Sequence, residues 1–93
     1  MGRFAKTVCT RQDAIDRIER LVTELPGEAK VRVAVATGQV FNGTVVERPA
    51  VQLFEDADGV EGFNGVLRLD DPTAPPWSVD LWLSDIRTVE RLG

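Results

Sequence analysis

Residues 31–46 read VRVAVATGQVFNGTVV, and this run decides the fold. Val31, Val33 and Val35 alternate with Arg32, Ala34 and Ala36, the period-two pattern of a strand with one buried face. Thr37-Gly38 interrupts the alternation, because glycine takes the positive φ that a tight hairpin needs. The pattern then resumes, with Phe41, Gly43 and Val45 on one face and Asn42, Thr44 and Val46 on the other. Gly43, mid-strand and without a side chain, marks a sharp bend or a close backbone approach. A hairpin bent in this way starts a small barrel.

Upstream, residues 1–9 read as a flexible lead, with Arg3 and Lys6 flanking Phe4. Thr10 reads as an N-cap with Asp13 as its capping-box partner. Ala14, Ile15, Ile18, Leu21, Val22 and Leu25 fall on one helical face. Asp13–Arg17 and Asp16–Arg20 add acid-first i,i+4 pairs, and Pro26-Gly27 ends the run. The spacing predicts an amphipathic helix over 10–25. Such a helix serves either as a lid over one open end of a sheet or as a docking face for a partner or membrane. Few apolar positions, balanced charge and no aromatic residue favour the lid.

Downstream, Glu47-Arg48-Pro49 breaks the ladder. Val51, Leu53 and Glu55 then alternate with Gln52 and Phe54 as a third strand, and 55–62 form a polar loop. Residues 63–69 form the next strand, with Phe63, Gly65, Leu67 and Leu69 in phase. A turn follows over 70–76, stiffened by Pro72, Pro75 and Pro76. Trp77, Val79, Leu81 and Leu83 line one face of another strand, with Asp80 and Trp82 on the other. Ser84-Asp85 punctuates before a last strand over 86–92. The strings FNGTVV at 41–46 and FNGVLR at 63–68 echo each other, which reads as one local need met twice rather than a repeat architecture. The order is one helix followed by five short antiparallel strands over 30–92.

Ninety-three residues make a single domain, 1–93. A chain of this size buries roughly 60–65% of its unfolded surface, so association would support its small core. Fifteen acids against eleven bases leave a net charge of −4. That balance argues against a broad electrostatic grip on nucleic acid and leaves only a local basic patch open. The lone Cys9 supports no internal disulfide or cysteine-based metal site, which fits a reducing cytosol. MGRFAKTVCT lacks a signal-type apolar run, and no stretch nears the ~18–20 apolar residues of a membrane span. Lys6 stands where a myristoylation motif wants Ser or Thr. The expectation is a soluble, cytoplasmic protein. Histidine and tyrosine are absent, which removes the commonest general base and metal ligand. No Ser, Thr or Lys has an evident base partner, so no enzyme activity, cofactor or metal is expected.

The pattern V-x-V-x-V-x-x-G-x-x-F-x-G-x-V, with Gly38, Phe41, Gly43 and Val45 at fixed offsets, resembles the first half of the Sm-like motif. Ser84-Asp85-Ile86-Arg87-Thr88-Val89 resembles its end, and the whole chain is similar to a small, functionally uncharacterised bacterial family with a variant Sm-like barrel. The resemblance implies a mainly β fold with one N-terminal helix, which caps a five-stranded, strongly bent antiparallel sheet or open barrel. It does not carry the usual activity with it. RNA-binding Sm-like proteins place an Asp and an Asn in the loop after the second strand, where this chain has Arg48-Pro49-Ala50-Val51-Gln52. Only Gln52 could replace the amide. Near the last strand their Arg-Gly or Lys-His pair gives way to Leu83-Ser84 followed by Asp85.

Asp56-Ala57-Asp58-Gly59 with Glu55 and Glu61 resembles a fragment of a calcium loop, but the acids are out of register, and a solvated acidic turn is the better reading. Asp70-Asp71, Asp80 and Asp85 offer carboxylates with no evident pocket to split their pKa values. Cys9 reads as a lightly buried thiol beside the helix start; a helix N-terminus could lower its pKa, but one residue makes no mechanism. For nucleic acid the candidates are Arg32, Arg48, Gln52, Arg68 and Arg87, together with Arg91; Phe54, Phe63, Trp77 and Trp82 could supply stacking. The alternative is that these arginines pair with neighbouring acids and the aromatics fill the core. Trp82, out of phase with its strand's apolar face, should leave the core, so Trp82 and Phe54 are the candidate interface residues. The sequence therefore points to a non-enzymatic Sm-like interaction module, a homo-oligomer or a partner of another protein. The alternative is an RNA-binding Sm-like protein with non-standard contacts.

Overall fold

A computed structural model describes residues 3–71 and 76–93. Along the chain run β1 (Arg3–Phe4), α1 (Gln12–Thr23), β2 (Lys30–Val35), β3 (Val40–Val45), β4 (Gln52–Glu55), β5 (Glu61–Asn64), β6 (Val66–Asp71), β7 (Trp77–Trp82), a 3-10 turn (Leu83–Asp85) and β8 (Ile86–Arg91). The alternation of 31–46 is realised as read: Val31, Val33, Val35 and Val45 are buried, and β2 pairs antiparallel with β3 with Val33 opposite Phe41. Gly38 takes φ +93° in the connecting turn, and its N–H donates to the Val35 carbonyl at 2.9 Å.

Five strands form one antiparallel sheet in the order β7-β6-β3-β2-β8. Its two edges are consecutive in sequence, joined only by the turn Leu83–Asp85. In a flat sheet those edges would lie about 19 Å apart, four strand spacings, whereas three residues of 3-10 helix rise about 6 Å. The sheet must therefore curl until its edges meet at that corner. A register shift between Ala34 and Val35, opposite Thr88 and Ile86, adds local twist on the β8 side. Ala36 N–H donates to Asp85 O at 2.8 Å and ties the corner to the end of β2.

The helix closes the curl. Ile18 and Leu21 are buried in the same cluster as Val31, Val33, Leu67, Leu83 and Ile86, with Ile15 and Val22 packed beside them. The apolar face of α1 is thus a lid over the barrel interior. The helix is shorter than the predicted 10–25. Arg11 occupies the N-cap with no side-chain cap, so Thr10 lies outside the helix and the predicted capping box does not form. Asp13 instead accepts from Ala14 N–H at 2.9 Å and Arg11 Nε at 3.3 Å. The predicted i,i+4 ion pairs are also replaced: Arg17 donates to the Ile86 carbonyl, and Asp16 accepts from Gln12 at 2.8 Å.

A second, three-stranded sheet, β1-β4-β5, corrects the single-sheet expectation. β1 lies parallel to β4, with Arg3 opposite Phe54, and Ala5 behind it is fully buried. Cys9 and Phe63 exchange N–H···O bonds of 2.7 and 2.8 Å. Residues 3–9 are therefore a strap across this sheet and not a loose lead. Two further expectations fail in this region for one reason, which is that the chain changes sheets at Gly65. The predicted continuous strand 63–69 is two strands, with Phe63 39% exposed and Asn64 fully buried. The third strand has its phase inverted: Phe54 is 4% exposed and Leu53 46%. Asp70 and Asp71 belong to β6. The turn expected over 70–76 falls largely on residues 72–75, outside the described residues.

The two FNG strings have diverged in use. Asn42 is exposed and accepts from Arg32 Nε at 3.1 Å. Asn64 is a buried knot: its amide donates to Thr7 O (2.8 Å) and Ser84 Oγ (2.9 Å), and its Oδ1 accepts from Gly65 N–H (2.9 Å) and Ser84 N–H (3.1 Å). A Cβ on Gly65 would stand 2.5 Å from Ala50 O and 2.7 Å from Leu83 Cδ1.

Because a backbone carbonyl cannot swing aside, Gly65→Ala is expected to destabilise the fold by about 2–3 kcal/mol. Asn64→Ala, which leaves the buried Gly65 N–H and three part-buried groups without their partner, should cost about 2–4 kcal/mol. Urea unfolding measures both, and a Gly65→Ala protein within about 0.5 kcal/mol of wild type would contradict the sheet-switch account.

Candidate binding cleft

Where the small sheet meets β6 and β7, a cleft of about 530 Å³ opens. Alternation along the strands aims its polar side chains. Arg3 shares the face of its partner Phe54 and donates to Gln52 Oε1, also on that face. Arg68 projects from β6 between the buried Leu67 and Leu69. Arg48 comes from the segment after β3, where Pro49 lies buried and the ladder has ended. Three arginines from three elements thus line one opening, with Glu47 and Asp80 as its acids.

They are held differently. Asp80 lies directly across from Arg68 and takes its guanidinium in a fork, Nε to Oδ1 at 2.8 Å and Nη2 to Oδ2 at 3.1 Å. Those hydrogen bonds hold the Asp80 carboxyl below its ordinary pKa and push the Arg68 guanidinium above its own. Arg3 has the neutral amide oxygen of Gln52. Arg48 has no ion-pair partner among the described residues. Exposed Phe4 (65%), Val46 (44%) and Val66 (42%) add an apolar rim.

Of the residues singled out for nucleic acid, Arg48, Gln52 and Arg68 come together here. Arg32 and Arg87 do not line the cleft: Arg32 lies on β2, bonded to Asn42 and to Glu90 (3.4 Å), and Arg87 is exposed on β8. Arg3 and Phe4 line the cleft although their sequence suggests a loose lead, because a two-residue strand is too short for alternation to be legible.

Trp82 does leave the main core, but it is not open. It is half-buried and meets Phe54 edge-to-face, ring centroids 5.3 Å apart at 89°. Phe54, the other candidate interface residue, is internal, at 4% exposure. Both corrections follow from the small sheet, which lies over the outward side of β7.

Two other candidates resolve locally. Asp56 Oδ1 accepts the N–H groups of Asp58 (2.9 Å) and Val60 (3.0 Å), and Gly59 takes φ +78°, so that carboxylate shapes the β4–β5 turn. Cys9 has its pKa raised by burial, with the charge of Arg17 opposing. The expected lightly buried thiol is what the structure holds, 8% exposed, because backbone pairing with Phe63 fixes Cys9 at the core before the helix begins.

Residues 2–92 match the model of a family described as a domain of unknown function, DUF3247, and the chain belongs to that family. The crystal structure of XC5848 from Xanthomonas campestris, described as adopting a novel variant of Sm-like motif, is similar over the whole of both chains, at 33% identity and a TM-score of 0.93. No curated protein matches the chain. The fold is thus the expected mainly β, Sm-like variant with a single helix, enlarged by the three-stranded sheet. No helix among the described residues is long and apolar enough to cross a membrane.

The Arg68–Asp80 fork has a pH signature. An Asp whose folded pKa lies below the unfolded value of ~3.9 contributes stability above that value and loses it as pH falls through the lower folded pKa. Exposure keeps the contribution small. In Arg68→Gln the Asp80 carboxyl is expected to titrate nearer its ordinary value, as read by carboxyl NMR. Identical curves in wild type and variant would show that the fork does not hold in solution.

Proposed function

We propose that this chain is a non-enzymatic binding module that acts through protein contacts, its own copies included. The observation that carries the reading is the outer face of the small sheet. Leu53 and Phe63 are cross-strand partners there, 46% and 39% exposed, and Phe4, opposite Glu55 on the same face, is 65% exposed. Three large apolar side chains gathered on one face of a 93-residue chain favour a surface that is covered in use. Strands β7 and β8 each end the main sheet's ladder without a further strand partner, and unpaired edges favour association further. The lack of histidine and tyrosine, together with carboxylates spent on a turn and on Arg68, supports the non-enzymatic part. Wild type is expected to self-associate in sedimentation at tens of micromolar, and Leu53→Ser/Phe63→Ser to shift toward monomer. Monomers throughout would count against self-association.

A second reading has one observation in its favour. Arg3, Arg48, Gln52 and Arg68 converge beside Phe4, a combination that suits a single-stranded nucleic acid. Short oligo-U and oligo-A should then bind at ~50 mM salt and weaken by ~200 mM, with a log–log slope near −0.7 per phosphate neutralised. Failure to bind at the lower salt ends this reading.

A further inference from the structure

We infer that the acidic tip of the β4–β5 hairpin of one copy seats in the arginine-lined cleft of a second copy. This rests on the self-association reading and adds to its apolar face a charged contact on which assembly depends. Charge is segregated along the chain. No Lys or Arg occurs between Arg48 and Arg68, and that interval holds Glu55, Asp56, Asp58 and Glu61. These four acids equal the whole chain's net −4, so the rest of the molecule is balanced. None of the four is ion-paired among the described residues, and Asp58 and Glu61 are exposed.

The cleft is the complement. Its arginines outnumber its acids, Glu47 and Asp80, by one. Arg68 is committed to Asp80, but among the described residues Arg48 has no carboxylate and Arg3 has only an amide oxygen. Guanidinium forks with spare donors are matched by planar carboxylates. A single surplus positive charge in an acidic protein suits a pair of carboxylates better than a phosphate chain, whose binding grows with each cation added.

Shape agrees with charge. The cleft volume of about 530 Å³ takes a slender turn, and Ala57 and Gly59 keep residues 56–60 thin. Val60, 45% exposed at the tip, would meet the apolar rim of Phe4, Val46 and Val66. The hairpin cannot fill its own cleft, because it is β-paired out to Glu55–Glu61 and carries its tip away from Gln52. Each copy owns both a tip and a cleft, so a two-fold arrangement satisfies both contacts at once.

Sedimentation velocity on the full chain at ~50 and ~500 mM salt tests this, since exposed charge pairs are screened at the higher value. Wild type should associate at low salt and dissociate at high. Arg48→Glu and Asp58→Lys, with folding checked by circular dichroism, should each weaken association about tenfold or more. An equimolar mixture of the two variants should restore it, because each then supplies the charge its partner lacks. Association that survives salt and both reversals would overturn the inference and leave self-association standing elsewhere on the surface. A mixture that stays as weak as its components would overturn it too. Wild type that is monomeric at low salt would overturn both this inference and the self-association reading.

Discussion

The backbone of Gly65 presses against the Ala50 carbonyl and the Leu83 side chain, and the rest of the architecture depends on that close approach. Among the described residues it is the one point at which the chain passes from the small sheet into the large one without a connecting loop, β5 ending at Asn64 and β6 beginning at Val66. Asn64 makes the crossing rigid. Fully buried and bonded through both ends of its amide, it ties the strap at Thr7 and the corner at Ser84 to the same residue. Leu83 N–H donating to Gly65 O at 2.9 Å completes the junction. A buried polar side chain is tolerable only when fully satisfied, and here the satisfaction comes from three separate parts of the chain.

That junction creates the site. Because the small sheet is fixed against the corner, Phe54 lies over Trp82, and the gap left between β4 and β6 becomes the cleft. The Sm-like barrel alone would present Trp82 and Arg68 on an open sheet face. With the strap and the hairpin added, Trp82 becomes the internal support of one wall, and Arg68 shares its opening with Arg3 and Arg48.

How much of this was legible follows from length scales. The long alternations in 31–46, and the helical spacing of Ile18 and Leu21, each span enough residues for period to decide type, and both are realised. The small sheet is built from strands of two to four residues, where one apolar residue more or less decides the phase. Phe63 and Gly65, read in step with Leu67, sit on the far side of a break that only the approach of Ala50 explains. Arg48, Gln52 and Arg68 could be named from residue type, but their convergence depends on the sheet switch. Arg3 carried no signal, because its role comes from pairing with a strand some fifty positions away.

Two sheets on so short a chain also set how their faces are covered. The large sheet curls, and its interior is filled by its own valines and leucines together with the face of α1. The small sheet has no second layer of its own. Its inner face rests on Trp82 and its outer face carries Leu53, Phe63 and Phe4 into solvent, although a strand pair usually needs a packed partner to be stable. Its stability is therefore borrowed from the junction at Asn64 and Gly65, and an occupant on its outer face or in its cleft would add to it through binding linkage. Leu53, Phe63 and Phe4, the acids of 55–61 and the exposed Arg48 all lie on this one element or its rim, so both proposed contacts draw on the added sheet rather than on the barrel alone.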